Sequence, residues 1–149
     1  MAPSDIAGIV RVVIEEIWNK GTLDLADELF AHDYVNYGGL IPDLTRGPEA
    51  IKISVLLCHL AFPDMLVVEK DLLIVGDMVE LHWVAYGTHA SKKTAKAALE
   101  GVIICRFAGR QIAESWMYWD AGNVCQLALT PLFSEREREV RSDAHGFVA

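Results

Sequence analysis

One acid and three large aromatics lie within five positions, in the order Trp116, Tyr118, Trp119, Asp120. They close the segment QIAESWMYWD at 111–120, the second arm of a predicted β-hairpin. Alternate residues of a strand share a face, so Trp116, Tyr118 and Asp120 are expected on one side. A carboxyl group among aromatic walls loses solvation in its charged form, and its pKa rises. Such a group can give and take protons near neutral pH. Asp120 is therefore the candidate general acid/base. The plainer role for it is a surface Asp that ends a strand, since Asp-Ala-Gly-Asn is also a turn sequence.

Other chemistries find little support. His32, His59, His82, His89 and His145 have no metal-ligand spacing of the HxxxH or HxH kind, and no metal is expected. No Gly-rich phosphate loop precedes a helix, and no Ser or Cys carries a local nucleophile signature. The formal net charge of −8 argues against nucleic-acid or anionic-membrane partners. Three scattered cysteines give no disulfide framework, and the N-terminus has no signal-peptide pattern. A cytoplasmic setting is expected. No apolar run approaches the ~20 residues that span a bilayer.

The elements that must hold these residues follow in order. Ile6, Ile9, Val10, Val13, Ile14 and Ile17 form one apolar helical stripe, with Ser4 as N-cap and Gly21 as stop. Trp18, at the end of this helix, is either core or the roof of a pocket. A second helix is expected from Thr22 through about Phe30, then a short strand at 34–37 ended by Gly38-Gly39. Within that strand Asn36 serves either a pocket hydrogen bond or a turn. Pro48 opens a third helix that ends at Pro63-Asp64. Strands follow: 65–75 as one bent strand or two, 78–89, 98–107 and 111–120. A short amphipathic piece at 123–129 precedes a tail, from Ser134, of alternating acids and arginines, either helical or disordered. Helices first and strands after is an α+β pattern, with one domain over 1–130 and a charged tail over 131–149. Along 78–89, Val79, Leu81, Trp83 and Ala85 form an apolar row, while Glu80, His82 and Tyr86 form the other. If the apolar row faces inward, His82 lies outside or at an interface.

The runs V-I-E-E-I-W-N-K-G-T-L-D at 13–24, D-Y-V-N-Y at 33–37, R-G-P-E-A at 46–50 and A-F-P-D-M at 61–65 are distinctive in combination. With H-W-V-A-Y-G-T-H at 82–89, G-V-I-I-C-R-F-A-G-R-Q-I-A-E-S-W at 101–116 and W-D at 119–120, the chain resembles the SnoaL-like polyketide cyclases. These belong to the nuclear transport factor 2-like superfamily. The resemblance implies an α+β cone, with N-terminal helices packed on a curved, mostly antiparallel sheet around a deep apolar pocket. It implies ring closure by intramolecular aldol condensation, without metal or organic cofactor, on a small apolar ligand. An aspartate late in the last strand is the acid/base, and Asp120 matches it. Trp18, Asn36, Tyr37, His82, Trp116 and Tyr118 are the expected substrate-binding residues, and a homodimer through the outer face of the sheet is expected.

Three positions depart from the family pattern. Ile103, in a row with Leu99 and Gly101, stands where a polar partner of the acid is common. His82 replaces an arginine, and Tyr37 a histidine. Isomerisation of the ketosteroid type is the nearest other reaction, and a non-catalytic binding or dimerisation module is the alternative class.

Overall fold

The computed structural model describes residues 2–38, 46–91 and 96–119. The predicted apolar stripe buries as one face: Ile6, Ile9, Val10, Val13, Ile14 and Ile17 are all in the core. It runs along α1 (Pro3–Val12) and continues through a π-helical segment, Val13–Asn19. The cap differs from expectation. Ala2 is the N-cap and Pro3 opens the first turn, so Ser4 lies inside the helix and makes no capping bond. Proline's fixed φ and missing N–H suit that first turn without a side-chain cap.

The second helix is shorter than predicted. A 3-10 turn at Leu23–Leu25 leads into α2 (Ala26–Leu29), and Phe30 is already extended. Strand β1 (Phe30–Tyr37) is correspondingly longer. Phe30 pairs with Ile112 and packs edge-on to Tyr34, with ring centroids 4.8 Å apart. These tertiary partners override the local helix preference. Helix α3 (Pro48–Ala61) starts where the sequence places it. Gly47 before it has φ 78°, and a Cβ there would sit 2.4 Å from the His32 carbonyl oxygen. Only glycine fits that approach. The Gly47 N–H bonds the Tyr34 carbonyl at 2.7 Å and fixes α3 to β1.

Four strands complete the sheet: β2 (Leu66–Val75), β3 (Met78–Thr88), β4 (Lys96–Ala108) and β5 (Gln111–Trp119). Of the two options for 65–75, one bent strand is found, its register shifting between Glu69 and Asp71. The strand order is β1-β5-β4-β3-β2. All pairings are antiparallel except β1 with β5, which is parallel. The helices cover one face of this open sheet, and the result is the expected α+β cone. Val79, Leu81 and Trp83 face the helices and are buried, so the apolar row of β3 is the inner one. At the free edge of β2, the Asn19 side chain acts like a neighbouring strand. It accepts from the Val67 N–H at 2.7 Å and donates to the Val67 carbonyl at 2.9 Å.

The amphipathic piece at 123–129 and the tail from Ser134 lie outside the described residues. Among the described residues, no helix is long and apolar enough to cross a membrane.

Candidate functional site

Helices and sheet do not close on each other completely. A cavity of about 130 Å³ remains between them, walled by Val10, Val13 and Ile14 from the helix and by Val79, Leu81 and Trp83 from β3. No Asp, Glu, Lys, Arg or His is among its described lining residues.

The polar groups in this lining mostly satisfy one another. The Tyr34 hydroxyl and Ser115 Oγ lie 2.5 Å apart, joining β1 to β5. The Cys105 thiol of β4 also hydrogen-bonds Ser115. Ser54 Oγ donates to the Ala50 carbonyl of its own helix at 2.9 Å. Burial pushes the Cys105 thiol up to about 12, and it raises the Tyr34 phenol strongly as well, with the Ser115 bond opposing both. Neither group can serve as a base near neutral pH. Asn36 is different. It follows Tyr34 by two on β1, so it shares the inner face, and its Oδ1 is buried without a hydrogen-bond partner.

The residues expected to bind substrate divide between two faces. Trp18 and Asn36 line the cavity. The Trp18 carbonyl, at the end of the π-helical segment, lies 2.6 Å from the His59 ring nitrogen Nε2, a bond that anchors the helix end beside the cavity. Tyr37, Trp116, Tyr118 and His82 are not among the lining residues. They lie on the opposite face of the sheet, which corrects the expectation that they contact the pocket. Tyr37 stacks on Trp116 at 5.6 Å and 17°, and Tyr118 is 57% exposed. His82 is exposed, with Nε2 3.9 Å from a Glu80 carboxylate oxygen.

The reason is strand parity. On β5 the inner residues are Ile112, Ser115 and Met117, so Trp116 and Tyr118 must point out. A register shift near Ala113 sets which row is inner. Asp120 lies outside the described residues; β5 is described to Trp119, paired with Gly101.

Sequence reasoning missed Tyr34 and Ser115 as cavity residues. Their signal was the two-residue step from Tyr34 to Asn36 and from Ser115 to Met117. His89 fits its expected structural role at a strand end. It is buried, and its Nδ1 accepts from the Ser91 N–H at 3.2 Å. Among the described residues, no group of three or more His, Cys, Asp or Glu side chains could hold a metal ion.

Comparison with protein families matches residues 9–126 to the SnoaL-like polyketide cyclase model. The chain belongs to the SnoaL-like polyketide cyclase family. Solved structures agree on the fold. A candidate polyketide cyclase from Bacillus cereus ATCC 10987 has a TM-score of 0.72 at 21% identity, covering 84% of this chain and 80% of that one. Wild-type IdmH, a candidate polyketide cyclase from Streptomyces antibioticus, has a TM-score of 0.69 at 25% identity, covering 84% and 97%. AclR, a candidate hydroxylase from Streptomyces galilaeus, has a TM-score of 0.68 at 17% identity, covering 88% and 97%. Comparison with curated proteins finds no match. Within the SnoaL-like family, membership supports a cyclase or isomerase type of role and leaves the substrate open.

Proposed function

We propose that this SnoaL-like chain binds a small, largely apolar carbonyl compound in the cavity and moves a proton alpha to its carbonyl. The observation that carries the reading is the Asn36 amide, whose buried oxygen is unpartnered in a mostly apolar cavity. Rotating a side-chain amide by half a turn exchanges acceptor for donor. Asn36 can therefore accept from a ligand hydroxyl or donate to a carbonyl or enolate oxygen.

In the reaction, Asp120 as carboxylate takes a proton from the carbon next to a ketone. The C–H electron pair becomes an enolate. The enolate carbon attacks a second carbonyl of the same molecule, forming a C–C bond and breaking that C=O π bond. The new alkoxide takes the proton back from Asp120. No electrons are gained or lost overall, and the reading calls for no added cofactor. Isomerisation returns the proton to another carbon instead. The apolar cavity holds the flexible chain so that the two carbons meet.

The test is deuterium exchange into the alpha positions of 1-tetralone in D₂O, followed by proton NMR. Wild type accelerates the exchange, and Asp120→Asn lowers the rate about 100-fold, the scale of one general acid–base group. Equal rates for the two proteins would overturn the assignment. That result would favour the second reading, a non-catalytic binding module, which rests on the lack of any ionised side chain in the described lining.

We also propose that a second copy covers the outer face of the sheet. Tyr37, Trp116, Tyr118 and His82 would then contribute to that contact rather than to the cavity. Tyr37 of β1 and Tyr118 of β5 are exposed there, and Leu66 and Val68 are exposed at the β2 edge.

A further inference from the structure

Gly101 of β4 lies directly across from Trp83 of β3, and both belong to the inner rows of the sheet. A Cβ at Gly101 would lie 2.3 Å from Cζ2 of the Trp83 indole, 2.7 Å from Cε2 and 2.9 Å from Cη2. The ring therefore rests on the bare backbone of Gly101. Carbon atoms in contact keep about 3.5–4.0 Å apart, so any side chain at position 101 must displace the ring by roughly 1 Å or more. The indole lies over Gly101 and lines the cavity, so a ring pushed away from position 101 moves toward the cavity. Gly101 has no positive φ, and its backbone would accept alanine. What the glycine provides is space, not a turn.

The same arrangement recurs on the same wall. A Cβ at Gly87 would lie 3.0 Å from Cβ of Phe62 and 3.2 Å from its ring, and both residues line the cavity. Two aromatic side chains thus lie close against glycines of the inner face. In a cavity of about 130 Å³, a ring lifted by 1 Å removes a large share of the room. A closed cavity of about 150 Å³ holds a benzene-sized guest; this one is open to solvent, so its width decides whether a second fused ring can follow the first.

We propose that Gly101, through the resting position of Trp83, is a specificity-determining residue that sets the largest ring system the cavity admits. This rests on the cavity being the binding site proposed above. Gly101 acts by omission: it lets the Trp83 side chain occupy only the thickness of a ring. Trp83 in turn presents a flat wall on which a planar ligand can stack. The ligand class selected is a flat, one- or two-ring ketone, and three-ring ketones are rejected.

The experiment measures binding of cyclohexanone, 1-tetralone and anthrone by isothermal titration, with folding checked by circular dichroism. Wild type binds the first two and not the third. In Gly101→Ala, affinity for 1-tetralone relative to cyclohexanone falls at least tenfold. Gly101→Ala with Trp83→Leu restores the ratio, and Trp83→Leu alone admits anthrone. If wild type binds but Gly101→Ala leaves the ratio unchanged, this proposal fails while the cavity reading stands. If wild type binds none of the three ketones, the cavity reading fails and takes this one with it. Should Gly101→Ala not fold, rescue of folding and binding by Trp83→Leu supports the coupling. Continued misfolding of the double variant overturns it.

Discussion

Asn36 is the one side chain among the described residues with a buried polar atom and no hydrogen-bond partner. A buried acceptor left unpaired costs about 1–3 kcal/mol. Packing alone gives no reason to keep it, because leucine has a similar size and nothing to satisfy. Asn36→Leu is therefore expected to hold or raise stability, by up to about 1 kcal/mol in urea unfolding. The same change should weaken 1-tetralone binding about tenfold, the effect of one lost hydrogen bond of about 1.4 kcal/mol. A stability loss with unchanged binding would return Asn36 to a structural role. Asn36 was legible as a candidate in the sequence because a side-chain amide in a predicted strand can supply a pocket hydrogen bond, with a turn role as the alternative. Tyr37 and Trp116 were misread because their aromatic character suggested a pocket. Their stacking on each other outside the cone depends on the pairing of β1 with β5, which local sequence does not reveal.

Three strands meet through small polar groups at one place. Tyr34 of β1, Ser115 of β5 and Cys105 of β4 form a buried seam. The phenol and the thiol both have pKa values raised by burial, the thiol from 9.0 to about 12. The unfolded chain releases these protons first as pH rises, so it binds fewer protons than the folded chain above pH 9. The stability held at neutral pH should therefore be flat up to about pH 9 and fall beyond it. Tyr34→Phe should cost about 1 kcal/mol at pH 7, and should make the decline above pH 9 shallower than in wild type. Urea unfolding at a series of pH values checks both. The helices were legible from their apolar period and the later strands from turns at Gly76-Asp77 and Ala108-Gly109-Arg110. The boundary between α2 and β1 was not, since Phe30 takes its strand partner, Ile112, from far along the chain.

At the scale of the whole molecule, the open sheet has one face covered by helices and one that carries Tyr37 and Tyr118 exposed. A second copy on that face predicts twice the mass of the chain in light scattering, and Tyr118→Asp should return it to the mass of one chain. A wild-type mass of one chain would reject the pairing of copies. The sheet order also has a consequence in time. Strand β1 belongs to the first part of the chain, yet its ladder partner is β5, the last strand described. A ribosome delivers the helices, β1 and then β2 to β4 well before β5. Until β5 arrives, β1 has no strand partner and the Tyr34 hydroxyl has no Ser115. The nascent chain must therefore carry an open hydrophobic wedge through most of its synthesis. Ending translation at the β4–β5 turn would leave a chain with most of its core residues and no completed cavity. The cavity is thus the last part of the described fold to come into being.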